Sequence, residues 1–174
     1  MQVLQSGVYG GIYTFLWDST PIYLNILADT RHITHITWHG ACSIGSINTQ
    51  AESNKSALSD ECAKEIQAYF DRRLFDFSLP LSPKGSAFQQ SVWEALRQIP
   101  YGQTRSYKDI ARAIGKIQAS RAIGNANGAN PLMILIPCHR VVRENGDLGG
   151  YAYGTNIKAK LLALEAEAQS KPKC

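Results

Sequence analysis

The most constraining feature of the sequence is the stretch from Ile134 to Val142, in which a proline breaks an apolar run and three polar side chains follow. The run Ile134–Ile136 is typical of a short buried strand. Pro137 has no N–H to donate to a ladder, so the strand is predicted to end there. The segment Cys138–Arg140 would then lie at the mouth of the strand, where a rigid core can hold it against a ligand.

Cys138 has two interpretations. Free cysteine is among the most buried residue types, so Cys138 could be a small core hydrophobe. The neighbouring His139 and Arg140 favour a nucleophile, because burying both without partners would be costly and both could stabilise a thiolate. Adjacent side chains on an extended chain point to opposite faces. Either the backbone turns here, or a proton passes from Cys138 to His139 through a water.

Three β-rich runs lie near the N-terminus, at Ile12–Trp17, Ile22–Leu27 and Ile33–Trp38. Turn-forming residues separate them, including the four residues 18–21. This pattern predicts an antiparallel meander.

A polar loop is predicted from Cys42 to Lys55, followed by a helix that Ser59 caps and that runs to about Leu74. Its apolar face would carry Cys62, Ile66, Tyr69, Phe70 and Leu74. The candidate metal ligands in this half are His32, His35, His39, Cys42 and Cys62. The His35/His39 spacing fits zinc, but there is no close second pair, so surface histidines are favoured and no metal is expected.

The segment from Phe75 to Gly85 contains two prolines and a glycine and has no periodicity, which indicates a linker. We therefore expect an α+β protein. A small N-terminal α/β domain with an antiparallel sheet would span residues 1–80, and a mainly helical domain residues 81–174. Residues 1–87 carry 6 Lys and Arg against 8 Asp and Glu, whereas residues 88–174 carry 12 against 6. A basic half is typical of a domain that binds a polyanion.

The second domain opens with a capping box, Ser86 and Gln89, before a helix with the apolar stripe Phe88, Val92, Leu96 and Ile99. Ser106 caps the next helix, which Gly115 ends. A further helix is predicted from Ala119 to about Gly128. Two short helices around a glycine-containing turn predict either a helix-turn-helix, with a winged-helix-like domain around it, or a plain helical hairpin.

The helix from Ala119 is built almost entirely of small residues, with Arg121 as its one long side chain. Small side chains allow a backbone to approach another surface, such as a nucleic-acid groove. Arg121 alone predicts no more than a phosphate contact. A glycine-flanked loop, Gly149–Gly154, precedes a last helix capped by Thr155, with Ile157, Leu161, Leu164 and Ala168 facing inward. On its own pattern, Glu165 in this helix is a solvated acid.

The four cysteines have irregular spacing, which suits a reducing compartment better than a disulfide framework. The first basic residue is Arg31, so no charged signal-peptide start is predicted. No stretch is long and apolar enough to span a membrane. We expect a cytoplasmic protein.

The sequence resembles the methylated-DNA–protein-cysteine methyltransferases, or O6-alkylguanine-DNA alkyltransferases, from about Phe88 to Glu165. The motifs that carry the resemblance agree in order and spacing: Phe88-x₃-Val92-Trp93, Ile99-Pro100-Tyr101-Gly102, Ser106-Tyr107, Ser120-Arg121-Ala122-Ile123-Gly124, Asn130-Pro131, Pro137-Cys138-His139-Arg140-Val141, Gly150-Tyr151 and Leu161-Leu162-x₂-Glu165. The ordered set is far more specific than any one motif.

The resemblance implies direct reversal of O6-alkylguanine, and of O4-alkylthymine, in double-stranded DNA. A monomer without a cofactor would flip the base out and transfer the alkyl group irreversibly to Cys138. His139, acting through a water and backed by Glu165, is implied as the base. The other implied roles are a brace for the acceptor turn (Asn130), a proton donor to the leaving guanine (Tyr107), DNA contacts (Ser120, Arg121, Ala122, Gly124, Asn127, Arg140) and contacts to the flipped base (Val141, Tyr151, Ala152). Arg121 would enter the base stack.

Two positions depart from the family pattern. Ala152 can offer only its backbone N–H, and Tyr153 stands where glycine is frequent, which would narrow the pocket. Three rival functions stay open at this stage. They are a sensor of alkylated bases that does not repair them, a helix-turn-helix regulator with a redox thiol, and a thiol hydrolase.

Overall fold

A computed structural model of the chain describes residues 7–40 and 54–170. The chain divides into two compact units, Met1–Pro83 and Lys84–Cys174. The sequence placed the boundary at residues 80 and 81. The structure keeps Leu81 with the first unit, because Ile33 N–H donates to the Pro80 carbonyl and Ser82 N–H donates to the Ile33 carbonyl.

The first unit contains the predicted antiparallel meander, in the order β1 (Tyr9–Trp17), β2 (Thr20–Ala28) and β3 (Ile33–Gly40). The first turn is shorter than predicted. Only Asp18 and Ser19 lie in it, both with positive φ, as a tight two-residue hairpin requires. Pro21 already pairs with Leu16 at the end of the ladder.

Helix α1 (Ala57–Phe70) covers this sheet, and its buried residues include Cys62, Ile66, Tyr69 and Phe70, as the pattern predicted. The prediction that Ser59 caps the helix is wrong. Ser56 is the N-cap, and Ser59 is its capping-box partner three residues later, fully buried. The helix also ends four residues before Leu74. The predicted loop from Cys42 lies for the most part outside the described residues.

The second unit contains α2 (Ala87–Arg97), β4 (Arg105–Ser106), α3 (Tyr107–Ala113), α4 (Ser120–Gly128), β5 (Val141–Val142) and α5 (Thr155–Ser170). The capping boxes predicted at Ser86 and Ser106 are both present. Thr155, predicted as a cap, is instead the first residue of α5. The α+β class is therefore confirmed.

Helices α3 and α4 have the predicted helix-turn-helix layout, with Gly115 at a positive φ in the turn between them. Helix α2 packs on both. The buried Trp93 Nε1–H of α2 donates to the Ala126 carbonyl of α4 at 2.8 Å. Strands β4 and β5 pair in parallel, which places Val141 and Val142, just after Cys138, beside the start of α3. In the described part of the chain, no helix is long and apolar enough to cross a membrane.

Candidate alkyl-acceptor site

The segment before Cys138 is not the buried strand that the apolar run predicted. Residues 132–136 form tight turns, with Ile136 N–H donating to the Leu132 carbonyl and Ile134 at a positive φ of 72°. A short apolar run is equally compatible with any buried segment, and here its backbone groups are satisfied locally.

Asn130 supports these turns. Its side-chain oxygen accepts from Leu132 N–H at 2.9 Å, and its Nδ2 donates to the Ile136 carbonyl at 2.8 Å. Nδ2 also lies 3.1 Å from Cys138 Sγ, as a donor to the sulfur. Asn130 therefore fixes both the backbone before the cysteine and the sulfur itself.

Cys138, His139 and Arg140 form one turn of 3₁₀ helix and are all buried. The backbone thus turns here, which was one of the two possibilities left open by the sequence. The thiol is 4% exposed. Burial raises the pKa of Cys138, although the Asn130 hydrogen bond, the nearby Tyr151 hydroxyl and the charge of Lys158 act to lower it. At neutral pH the resting side chain is a protected thiol.

Glu165 of α5 is fully buried and is the centre of a polar network. Its Oε1 lies 2.7 Å from His139 Nε2 and its Oε2 accepts from Arg140 Nε at 2.9 Å and from Gly102 N–H at 2.9 Å. Burial raises the pKa of Glu165, but the hydrogen bonds and charges of His139 and Arg140 outweigh it and bring it to about 2. The interpretation of Glu165 as a solvated helical acid is therefore wrong.

The environment of His139 favours a neutral ring. Burial lowers the pKa of His139, and the hydrogen bond to Glu165 only partly offsets this. A neutral ring beside an ionised carboxylate carries its proton on Nε2. Nδ1 is then a free acceptor, and it is buried with no partner among the described residues.

Arg140 was predicted to contact DNA, but its position does not support that role. It is 5% exposed, donates to Glu165 through Nε and Nη2, and donates from Nη1 to the Ile99 carbonyl at 2.6 Å. Its guanidinium also lies over the Tyr101 ring. The contacts with Ile99 and Tyr101 fix the guanidinium, which in turn binds the Glu165 carboxylate.

Asn127, also predicted as a DNA contact, is buried, and its Nδ2 donates to the Cys138 carbonyl at 3.3 Å. It faces the acceptor turn and not the outer surface of α4. On that outer surface, Ser120, Arg121 and Ala122 are exposed, as a DNA-contacting face would require. Gly124 instead faces the Tyr107 ring.

The predicted proton donor and the predicted base-reading loop lie together. A Cβ added to Gly149 would sit 3.1 Å from the Tyr107 hydroxyl, and Gly149 has a positive φ of 66°, so a larger residue here would be strained. Tyr107 is partly buried, and burial raises its pKa, while Arg143 opposes the shift. Tyr151 and Tyr153 contact each other edge to face, with ring centroids 5.8 Å apart, and Ala152 between them is exposed. The Tyr151 hydroxyl makes no hydrogen bond of standard geometry with any described residue.

Sequence reasoning missed Lys158, which is fully buried. Its Nζ donates to the carbonyl of Val141 at 2.5 Å and to the carbonyls of Leu148 and Gly150. A signal was present, since Lys158, Leu161 and Glu165 recur at helical spacing on the inward stripe of α5.

No group of three or more His, Cys, Asp or Glu side chains that could hold a metal ion occurs within residues 7–40 and 54–170. Of the candidate metal ligands, Cys42 lies outside these ranges. Cys62 and Cys138 are both free thiols.

Two family models match the chain in the order of its two units. Residues 12–83 match the ribonuclease-like domain of 6-O-methylguanine DNA methyltransferase, and residues 87–167 match its DNA binding domain. Together with a buried cysteine that Asn130 holds and that lies next in sequence to the His139–Glu165 pair, these matches define the class as alkyl-accepting DNA repair proteins.

Relatives of known name agree. The chain is 42% identical to a methylated-DNA–protein-cysteine methyltransferase of Methanosarcina mazei over 147 residues, which is 84% of this chain and 92% of the relative. It is 55% identical to the Methanosarcina barkeri protein of that name over 105 residues, 60% of this chain and 66% of the relative. The chain belongs to the methylated-DNA–protein-cysteine methyltransferase family.

Solved structures also match. The O6-methylguanine methyltransferase of Mycobacterium tuberculosis has a TM-score of 0.75 at 34% identity, with 95% of this chain and 96% of that chain covered. The Mycobacterium tuberculosis OGT protein in complex with DNA has a TM-score of 0.73 at 37% identity, with 89% and 92% covered.

The buried carboxylate leads to a prediction about acid stability. Because the pKa of Glu165 is lower in the folded protein, its contribution to the free energy of unfolding is complete above the unfolded pKa, near 4.5, and is lost as the pH falls toward about 2. Glu165→Gln should destabilise the protein by about 3–5 kcal/mol at pH 7, because Arg140 is left buried without its carboxylate. It should also flatten the loss of stability between pH 5 and pH 2.

Denaturant unfolding at a series of pH values measures both effects. Glu167→Gln, on the exposed side of the same helix, is the matched control and should keep the wild-type pH dependence. An unchanged acid dependence in Glu165→Gln would show that Glu165 is not the group that titrates.

Proposed function

We propose that the protein repairs DNA directly, by transferring an alkyl group from O6-alkylguanine to Sγ of Cys138. The observation that carries the proposal is the connected set Cys138, Asn130, His139 and Glu165, in which a held sulfur lies next in sequence to an imidazole anchored by an ionised carboxylate. Displacing guanine from an alkyl carbon needs a thiolate nucleophile. In this set, His139 can remove the thiol proton of Cys138 and so generate the thiolate.

The reaction begins with the thiol proton. It passes through a water to Nδ1 of His139, whose Nε2–H is held by Glu165. The raised pKa of Cys138 and the lowered pKa of His139 make this transfer uphill in the resting protein. The thiolate is therefore formed only transiently, and the cysteine is protected between lesions.

The thiolate then attacks the alkyl carbon. The new bond is between sulfur and carbon, the bond between carbon and O6 breaks, and its electron pair goes to the guanine. Tyr107 donates a proton to the departing base, and Asn130 keeps the sulfur aligned. The product is a thioether, which has no chemical route back to the thiol in the protein.

DNA binding follows from the position of α4. Arg121 is its exposed long side chain, flanked by Ser120 and Ala122, and it enters the stack as the damaged base leaves. The flipped base is read by the backbone of Val141 and of the Tyr151–Ala152 loop.

The partner is double-stranded DNA that carries O6-alkylguanine or O4-alkylthymine. The protein acts as a monomer in the reducing cytoplasm, where free thiols persist.

The site argues against a redox-sensing regulator. Redox-sensing cysteines are exposed and have a low thiol pKa, whereas Cys138 is buried and its pKa is raised. A sensor of alkylated bases would need no acceptor thiol. Transfer of label from alkylated DNA to the protein separates these functions.

The first test of the proposal is stoichiometry. With excess duplex containing O6-methylguanine, the intact mass should rise by one methyl group, located to the Cys138 peptide, and one protein should repair one lesion. Cys138→Ser should abolish the shift and still bind the lesion, because a hydroxyl is a far poorer nucleophile of similar size. Cys62→Ala is the control and should keep transfer. Repeated turnover by a substoichiometric amount of protein would contradict the proposal.

The second test concerns Arg121. Arg121→Ala should slow repair in duplex DNA by tenfold or more, on the order of the few kcal/mol needed to flip a base, and leave the reaction with free O6-methylguanine nearly unchanged. Single-turnover rates on both substrates measure this. Arg97→Ala removes the same charge from α2, where Arg97 pairs with Glu94, and should have little effect. Equal losses on both substrates would show that Arg121 has no part in flipping.

A further inference from the structure

Lys158 is a charged side chain that the transfer mechanism above does not use. It is 0% exposed, although lysine is almost never fully buried unless it is paired. Its ammonium donates to three backbone carbonyls, those of Val141, Leu148 and Gly150. An ammonium has three N–H groups, which matches the number of these carbonyls, although the contact with Gly150 is the longest at 3.4 Å.

The three carbonyls belong to two segments of the proposed site, Val141 after the Cys138 turn and the loop before Tyr151. Alkyl transfer requires these segments to keep a fixed position relative to each other. Val141 directly follows the turn that carries Cys138, and it begins β5. Leu148 and Gly150 lie in the loop that leads into Tyr151, and Gly149 between them must approach the Tyr107 hydroxyl closely. The ammonium of Lys158, which α5 carries, therefore joins the segment after Cys138 to the loop before Tyr151 through hydrogen bonds.

Carbonyls alone do not explain the charge. Burying an ammonium costs several kcal/mol, and a neutral donor such as a side-chain amide could serve backbone carbonyls without burying a charge. Burial lowers the pKa of Lys158 to about 8, and the one ionisable group that acts to raise it is Cys138. The buried carboxylate of Glu165 is bound to Arg140 and His139. Cys138 lies three residues before Val141, whose carbonyl accepts from Nζ, so a thiolate formed at Cys138 during the reaction is an anion whose charge acts on Lys158.

Lys158 also affects the pKa of His139, the proposed general base. Its positive charge lowers the pKa of both Cys138 and His139, as does Arg140 for His139. The groups that face this region from the packed elements are Cys138 and His139 of the 3₁₀ turn and Tyr151 and Tyr153 of the loop. Each of these groups is neutral at rest. The ionised carboxylate of Glu165 is already paired with Arg140, so forming the thiolate adds a negative charge that has no paired cation of its own.

We propose that Lys158 is a positioning residue for alkyl transfer, which fastens the loop of residues 148–152 to Val141 and places a buried positive charge facing the Cys138 thiolate. The inference rests on the proposed function, because it concerns the thiolate that attacks the alkyl group. It adds a second source of thiolate stabilisation, which is independent of proton removal by His139.

Three substitutions separate the two parts of this role. Lys158→Met removes both the charge and the donors. Lys158→Gln keeps two N–H donors and removes the charge, and Lys158→Arg keeps the charge. Lys160→Met removes a charge from the exposed side of the same helix and is the matched control.

Two rates are measured for each variant from pH 6 to pH 9. One is single-turnover methyl transfer from duplex DNA containing O6-methylguanine, corrected for the folded fraction. The other is alkylation of Cys138 by iodoacetamide, read at the Cys138 peptide by mass. Binding to undamaged duplex is measured alongside, as a check that DNA contact is intact.

Lys158→Met should slow methyl transfer by about tenfold or more and move the onset of Cys138 alkylation upward by roughly one pH unit, as expected for loss of a nearby opposite charge. Binding to undamaged duplex should change less than about twofold, since Lys158 is buried. Lys158→Gln should show the same pH shift with a smaller loss of rate. Lys158→Arg should keep the wild-type onset, and Lys160→Met should match the wild type in every measurement.

The proposal is overturned if Lys158→Met and Lys158→Gln keep the wild-type pH profile and differ only in thermal stability, because Lys158 is then purely structural. If Lys158→Met does not fold, the glutamine and arginine variants decide the question by their pH onsets. If wild-type protein transfers no methyl group from DNA, the proposed function fails. The iodoacetamide profiles still test the effect of Lys158 on Cys138.

Discussion

The second unit depends on one buried carboxylate. Glu165 comes from α5, and its two oxygens accept from His139 and Arg140 of the 3₁₀ turn and from Gly102 after α2. A carboxylate in the core is stable only when its charge is matched and its lone pairs are filled. Both conditions hold here, and they fix the ring of His139 with Nε2 toward Glu165 and Nδ1 free. The orientation of the base is therefore a consequence of how the core satisfies one charge.

The two buried cations of this unit have different partners and different effects. Arg140 is permanently paired with Glu165, so its charge is neutralised in the resting protein. Lys158 is bound only by carbonyl dipoles among the contacts that the described residues make, so its charge remains available to an anion formed nearby. The resting thiol is buried and its pKa is raised, so the side chain is protonated at neutral pH. A cysteine that reacts once and irreversibly gains from this protection, because an oxidised thiol would waste the molecule.

Local rules predicted the parts of the fold that local interactions decide. Ser86 and Ser106 were identified as caps because a capping box needs only residues three positions apart, and the alternating runs gave the meander. The errors lie where tertiary partners decide. The apolar run before Pro137 is a set of turns held by Asn130. Arg140 is buried against Glu165, and Lys158 is buried where carbonyls from β5 and from the following loop converge on it. The family resemblance pointed to Cys138, His139 and Glu165. The helical spacing of Glu165 from Leu161 also places it on the inward face of α5, but its charge favoured a solvated position.

The central claim is that Glu165 holds His139 as a neutral ring with its proton on Nε2, which leaves Nδ1 to accept the proton of Cys138. ¹⁵N NMR of protein labelled at histidine tests this most directly, with His139→Gln used to identify the signal. The account predicts a protonated Nε2 and an unprotonated Nδ1 at pH 7, and loss of this fixed tautomer in Glu165→Gln. A proton on Nδ1 in the wild-type protein, or a doubly protonated ring at pH 7, would contradict it.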